Sequence, residues 1–350
     1  DCVSSRRMIT WTDNGSSRIG EGYGDASYHL TKHISKSGLD FRKIENESPQ
    51  EISGLQIGYA RTNDIHEGVV INHCLPESYG KYGDYKIGFS YWETNQLPGG
   101  WIDDLNRMDE IWTASDFMRS VFINSGVTKP VYNFQLGVDP EIYFPRKRIR
   151  KGPFTFLSIG SPSTRKNSQV AVDAFIKLFG GNDQYQMIYK SKGPADARSI
   201  INGMKDKLDH PQINIIDWEV SAEELGRIYD KVDCVLYPTS GEGWGLLPFQ
   251  GIAKGIPTIC TNFSACTEFA HLSIPLDYSM SDYKMSGIYQ DTGHWAKPDF
   301  DDLCDKMLYT VNNYEEISNR TYMSALYINE NMTWEKVSER YIDRLCQILN

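Results

Sequence analysis

Asp233-Cys234-Val235-Leu236-Tyr237 runs directly into Pro238-Thr239-Ser240-Gly241-Glu242-Gly243-Trp244-Gly245-Leu246, and then into Leu247-Pro248-Phe249-Gln250-Gly251-Ile252-Ala253-Lys254-Gly255-Ile256-Pro257. A short apolar run, a glycine-rich turn and an amphipathic stretch in that order predict a strand that ends in a tight turn and passes straight into a helix. The first amides of such a helix have no intrahelical partner, and the positive end of its dipole sits at the strand end, so a diphosphate fits there. Gly243 and Gly245 let the backbone approach a ligand closely, with Trp244, Leu246 and Leu247 on the same turn. Glu242, displayed on the turn, is placed to grip sugar hydroxyls; the plainer alternative is a tight turn carrying a solvated Glu242.

The same alternation extends outward in both directions. Strands are predicted near 8–12, 55–59, 68–72, 85–90, 110–114 and 131–134, with helices over 25–37 and 116–125; in the second helix Phe117, Val121 and Phe122 share a face, and Gly126 closes it. Beyond a linker at 145–153 the pattern restarts with a strand at 154–159. There follow a helix over 167–179, a strand at 185–189, a helix at 196–208, a strand at 213–217, a helix at 221–230 opened by Ser221 with Glu224 in the capping-box position, and strands at 234–237 and 257–261. Helices at 299–313, 314–330 and 334–348 have no strands between them and should pack outside. The expected fold is α/β, with two doubly wound, Rossmann-like domains at 1–148 and 149–330 and a C-terminal helix over 331–350 returning to the first domain. Ligands in such sheets bind outside the carboxyl ends of the strands, so two facing domains should share one central cleft.

Composition narrows the function classes. Hydrophobic residues make up 40% and aromatics 12%, which argues against disorder. No stretch reaches the ~18 consecutive apolar residues of a membrane span, and the first residues form no signal or transit peptide, so the reading is of a cytoplasmic chain without an integral membrane segment. Lys/Arg against Asp/Glu counts 17 to 20 for residues 1–150 and 19 to 26 for the rest, with net charge −10. Neither half is basic, which disfavours nucleic acid as a partner, although a local phosphate pocket needs only one or two cations plus amides. The basic run at 146–151 reads as a solvated linker. Seven cysteines without CxxC or paired His spacing argue against zinc and against a disulfide framework, and reduced thiols are expected.

Three further segments bear on function. Ser158-Ile159-Gly160-Ser161-Pro162-Ser163-Thr164-Arg165-Lys166-Asn167 follows the first strand of the second half, Gly20-Glu21-Gly22-Tyr23-Gly24 follows the first strand of the chain, and Tyr91-Trp92-Glu93-Thr94-Asn95-Gln96-Leu97-Pro98 follows the strand at 85–90. Together with the segment at 237–257, and in this order, they resemble the retaining glycosyltransferases of family four, which have the GT-B fold. The likeness covers roughly residues 8–345 and is densest over 154–268; the Trp-Glu-Thr stretch resembles one subgroup. The family carries two Glu eight positions apart, then Gly-x-Pro. Glu242 and Gly255-Ile256-Pro257 match, whereas the second Glu, which receives the ribose hydroxyls, is Gln250 here.

The resemblance implies that Lys166 and a nearby Arg neutralise the diphosphate of the leaving nucleotide. The usual Arg position is Ser161, so its charge is assigned to Arg165; the alternative is a solvated pair ahead of a helix. It further implies that Gly22 approaches the donor from the first half, that Glu219 and Val220 hold the nucleotide base through their backbone, and that Glu93, where many members carry a His, lies near the transferred sugar. Trp218 is either part of that base site or core. His73, at the end of the strand at 68–72, is the other candidate polar group and is equally well a satisfied structural histidine. The activity implied is transfer of a sugar from a nucleoside-diphosphate sugar to a hydroxyl of a glycan or protein with retained configuration, charge on the departing diphosphate being the main barrier. No metal or other cofactor is required by this picture, and Asp299-Phe300-Asp301 is better explained as a helix cap. A nucleotide-sugar epimerase on the same architecture and a catalytically silent binding module are the alternatives.

Overall fold

The computed structural model describes residues 7–13, 22–44, 67–191, 202–281 and 286–350. The chain divides into two compact units, one comprising Asp1–Gly137, Lys284–Gly293 and Met332–Asn350, the other Val138–Tyr283 and His294–Asn331. The expected strand at 55–59, the loop at 61–66, Gly20, Glu21 and most of the first part of the helix at 196–208 lie outside the described residues.

The first unit opens with β1 (Ile9–Thr12), α1 (Gly22–Ile34), β2 (Phe41–Ile44), β3 (Val69–His73) and β4 (Tyr85–Phe89). It continues with α2 (Trp101–Asn106), β5 (Glu110–Thr113), α3 (Asp116–Asn124) and β6 (Val131–Asn133). Its six strands form one sheet in the order β2-β1-β3-β4-β5-β6, parallel throughout, with Ile9 opposite Val69 and Thr12 opposite Asn72. β1, β3 and β5 are buried along their whole length, as strands covered on both faces must be. β2 and α2 were not foreseen. β2 reads Phe-Arg-Lys-Ile, whose charged centre hides the strand signal, while α2 has only six residues. On α3 the buried face is Met118, Val121 and Phe122, with Met118 replacing the expected Phe117, and Ser115 caps the helix by accepting from the Met118 amide.

The second unit contains β7 (Phe154–Ile159), α4 (Ser168–Phe179), β8 (Tyr185–Lys190), α5 (Lys205–Leu208), β9 (Ile213–Ile216) and α6 (Ala222–Tyr229). β10 (Cys234–Tyr237), α7 (Leu246–Ala253), β11 (Thr258–Thr261) and β12 (Ile274–Leu276) complete the sheet, whose order is β12-β11-β10-β7-β8-β9, again parallel. This is the order of a dinucleotide-type doubly wound sheet, and its direction of winding reverses between β7 and β10. Phe156 stacks on Phe179 and Phe179 on Tyr185, packing α4 onto the sheet. The capping box of α6 is present, Ser221 and Glu224 each closing on the other's amide. A small antiparallel ladder of β13 (Tyr278–Met280) with β14 (Ala296–Pro298) precedes α8 (Phe300–Asn312) and α9 (Tyr314–Asn331). The Asp299 carboxylate caps α8 by accepting from the amides of Asp301 and Asp302.

The final helix, α10 (Trp334–Leu349), packs in the first unit: the Tyr341 hydroxyl donates to the Phe134 carbonyl at 2.7 Å, and Arg344 grips the buried Glu110. A Cβ on Gly137 would lie 2.5 Å from the Trp334 nitrogen, so only glycine fits there.

Two expectations are corrected. The basic run is not simply solvated: Arg148 donates to the carbonyls of Tyr229 and Asp230 at the end of α6, and Arg146 pairs with Asp230. Cys74, Cys234, Cys260, Cys266 and Cys304 are free and buried, but Cys346 is disulfide-bonded. A bridge between cysteines that form no local spacing motif leaves no trace in the sequence. Among the described residues no helix is long and apolar enough to cross a membrane.

Candidate active site

In the second unit the winding reversal places the loop after β7 beside the loop after β10, and both carry the polar residues singled out above. The loop after β10 ends at Gly245, which has φ +96° and serves as the N-cap of α7. A side chain there would be strained by its backbone and would also lie 3.1 Å from Phe269 and 3.2 Å from the Cys266 sulfur. The amides of Gly243, Trp244, Gly245, Leu246 and Leu247 have no hydrogen-bond acceptor among the described residues. Trp244 is buried against Phe249 and Phe269, yet its Nε1–H is unpartnered, and so is the buried Oε1 of Gln250 on α7. Unpaired amides and two orphaned side-chain polar atoms around one strand-to-helix turn are groups a polar ligand would satisfy.

Glu242 is not displayed on the turn. It is buried, with its carboxylate 2.7 Å from Lys166 Nζ through both oxygens, 3.2 Å from Arg165 Nη1 and 2.7 Å from the Thr239 hydroxyl, which donates to it. Tyr237 donates to the same carboxylate at 3.2 Å, and the Glu242 amide donates to Ser264 Oγ. Burial opposes ionisation most strongly, but the charges of Lys166 and Arg165, with hydrogen bonds from Lys166 and Thr239, outweigh it and hold the carboxyl at about 2. A carboxylate removed from water must be paired, and here the pairs come from the loop after the neighbouring strand. Arg165 also donates to the Gly241 carbonyl, while its own carbonyl accepts from the Ser240 amide, so the two loops are stitched together.

Sequence reasoning missed two polar participants, Tyr237 and Thr239, because a tyrosine ending a buried strand and a threonine in a turn carry no distinctive signal. Lys190, at the end of β8, was missed as well. It is buried and donates to the carbonyls of Ser191 (3.3 Å) and Trp218 (2.7 Å), fixing the connection after β9 where Glu219 and Val220 lie. Trp218 is 61% exposed and therefore not core. Ser161 is exposed in the loop after β7.

The remaining candidates, Gly22, His73 and Glu93, belong to the first unit. Gly22 is exposed at the start of α1, with open space where a side chain would project. His73 is 1% exposed, which keeps it from touching a substrate in this form. Its ring lies between Asp13 at 3.3 Å and the Tyr91 hydroxyl at 2.9 Å, and burial pushes its pKa down against the pull of Asp13. Glu93 is half-buried and accepts from the Tyr289 hydroxyl at 3.1 Å. Its neighbours hold the backbone: the buried Trp92 donates through Nε1 to Thr94 Oγ1 and the Gln96 carbonyl, and Thr94 donates to the Thr292 carbonyl. Nearby, Tyr79 and Tyr91 are buried while Tyr82 is exposed.

Comparison with known proteins agrees with this architecture. The chain is 24% identical over 168 residues to a GDP-mannose-dependent alpha-(1-6)-phosphatidylinositol dimannoside mannosyltransferase of Mycobacterium tuberculosis, covering 46% of this chain and 42% of that protein. It is 24% identical over 154 residues to a serotype-specific mannosyltransferase of Escherichia coli, covering 40% of this chain and 18% of that protein. The chain thus spans less than half the length of these relatives. Among solved structures, a glycosyltransferase from Rickettsia africae superposes with TM-score 0.74 at 10% identity, covering 99% of both chains. Sucrose-phosphate synthase from Thermosynechococcus elongatus superposes with TM-score 0.72 at 10% identity, covering 98% of this chain and 99% of the other. The fold is GT-B, two Rossmann-like domains each built on a six-stranded parallel sheet. Residues 115–340 match the family described as Family 4 Glycosyltransferase in conflict systems, and the chain belongs to that family.

Proposed function

We propose that the chain transfers a sugar from a nucleoside-diphosphate sugar to an acceptor hydroxyl with retention of anomeric configuration. The observation that carries this reading is the pairing, at the winding reversal of the second sheet, of Lys166 and Arg165 with Glu242, on the same loop whose following amides, Gly243 to Leu247, lack an acceptor among the described residues. The bond from the anomeric carbon to the diphosphate breaks, the bond to the acceptor oxygen forms on the same face, and the acceptor proton passes to the departing phosphate. Negative charge grows on that phosphate, and fixed donors in a site shielded from water stabilise it without reorganising. Glu242 orients the two cations, so its part is to aim charge at the diphosphate, with its contact to sugar hydroxyls made only if a donor draws Lys166 away.

Gln250, with its buried unpartnered oxygen, is the proposed ribose contact. An amide offers both a donor and an acceptor to a ribose diol, where a carboxylate only accepts. Glu219 and Val220 are assigned to the base through their backbone, and Gly22 and Glu93 to the sugar. The GDP-mannose-dependent relative makes GDP-mannose the first donor to try, and a glycan or protein hydroxyl is the proposed acceptor. No residue is assigned to a metal.

The test is a screen of GDP-mannose, UDP-glucose and other nucleotide sugars for thermal stabilisation and slow release of nucleotide. Free nucleotide with a glycosylated acceptor or free sugar of retained configuration supports the reading. An isomerised nucleotide sugar would show an epimerase. A second reading, a silent binding module, is favoured by the sealing of the Glu242 carboxylate between two cations, and binding without turnover for every donor would establish it.

A further inference from the structure

We propose that Asp13, His73 and Tyr91 form a positioning network that fixes the first turn of α1 for the transfer step; the inference rests on the glycosyl-transfer reading above. Asp13 follows β1 and is 1% exposed. Its carboxylate accepts from Trp11 Nε1 at 2.6 Å and from Ser27 Oγ at 2.7 and 2.9 Å, pairs with Lys43 Nζ at 2.8 Å and faces His73 Nδ1 at 3.3 Å. One carboxylate thereby ties together β1, α1, β2 and β3.

The network continues from His73. Burial disfavours the charged imidazole, so Lys43 is the cation that balances Asp13, and the neutral ring donates through Nδ1 to Asp13 and accepts at Nε2 from the Tyr91 hydroxyl. The Tyr91 amide then donates to the Tyr23 hydroxyl at 3.1 Å, which lies 2.9 Å from Ser90 Oγ. The rings of Tyr23 and Tyr91 meet edge-on at 4.7 Å, and both pack on His73. Tyr23 is the second residue of α1, directly after the exposed Gly22.

These groups sit at the carboxyl ends of β1, β3 and β4, beside the place where the winding of the first sheet reverses and where such sheets receive ligands. A buried ion pair is weak as a source of stability, since well-packed apolar groups often do as well. What the polar chain supplies is direction: each ring nitrogen of His73 has its partner, and the Tyr23 hydroxyl is held between the Tyr91 amide and Ser90, so the helix start has one orientation. His73 acts through Tyr91 and Tyr23 and touches no substrate, which makes it a positioning residue.

The test compares Tyr91→Phe and Tyr23→Phe with the unaltered chain, GDP-mannose being the probe. Each change keeps the ring and removes one hydroxyl. Expected are a Tm within a few degrees, a GDP-mannose Kd within about twofold, turnover reduced roughly tenfold or more, and faster hydrogen exchange at the first-turn amides of α1. Unchanged turnover with unchanged exchange overturns the proposal, as does a loss of Kd and Tm in parallel with turnover, which marks a merely structural role. If the unaltered chain turns over no nucleotide sugar, the transfer reading falls by itself. Exchange at the start of α1 then decides the network: faster supports it and unchanged overturns it.

Discussion

Lys166 Nζ lies 2.7 Å from both carboxylate oxygens of Glu242, 76 residues away in the chain, and in the same position it meets the Tyr237 hydroxyl at 2.7 Å. The pair joins the loops after β7 and β10 at the point where the second sheet reverses its winding.

Removing one member should cost more than removing both. Lys166→Met leaves Glu242 buried with only Arg165 as its cation, and a loss of about 3 kcal/mol is expected from urea unfolding. The double variant Lys166→Met with Glu242→Gln should regain most of that stability while donor turnover stays reduced by about a hundredfold or more. A double variant as unstable as the single would show that the pair is not coupled.

Acid stability should carry the signature of this carboxylate. Glu242 titrates at about 2 against an ordinary 4.5, so its ionisation favours the folded state at every pH above 4.5, and that contribution disappears as the pH falls from 4.5 to 2. The amount at stake is on the order of 3 kcal/mol. Asp13, also held at about 2 against 3.8, has the same sign in the first unit. Unfolding free energies measured from pH 2 to 6 should therefore rise with pH, and Glu242→Gln and Asp13→Asn should each flatten the rise.

Two glycine substitutions should separate folding from function. Gly245→Ala faces a left-handed backbone and crowding by Phe269 and Cys266, and should lower stability by about 1–3 kcal/mol. Gly22→Ala meets open space, so thermal unfolding should hold or improve by up to about 1 kcal/mol. If Gly22 approaches the donor as proposed, turnover should nevertheless fall; full activity in Gly22→Ala removes that residue from the site.

Gln250→Glu would place a carboxylate where the buried amide oxygen has no partner. The free protein should lose about 1–3 kcal/mol through uncompensated burial of charge. Nucleoside diphosphates that satisfy the new acceptor with a ribose diol should stabilise this variant more than the unaltered chain in thermal-shift titrations. Equal shifts in the two proteins would place the ribose elsewhere.

Much of the fold was legible in the sequence because its decisive elements are local. β7 and β10 end where an apolar run ends, the Ser221–Glu224 box marks the start of α6, and Asp299 caps α8 through its own neighbours. β2, with two charges in four residues, and the three-residue strands β12, β13 and β14 escaped notice because so short a segment has no period to read.

The site was only half legible. The candidates at 241–247 come from glycine placement at a strand end, and Arg165 and Lys166 from the family resemblance. That Glu242 faces inward, and that Lys166 and Arg165 meet it, follows only once the parallel sheet sets β7 beside β10. His73 shows the same limit, since its spacing gives no hint of Asp13 below it or Tyr91 beyond it.

By itself the sequence determined the alternation of strands and helices, the two-sheet class and the strand-to-helix turn at Gly245, because each depends on residues within about one turn or one strand of each other. Tertiary structure alone decided which charges pair and which are buried. Those outcomes depend on strand order, and a buried carboxylate takes the partner that the sheet brings to it, however many residues lie between.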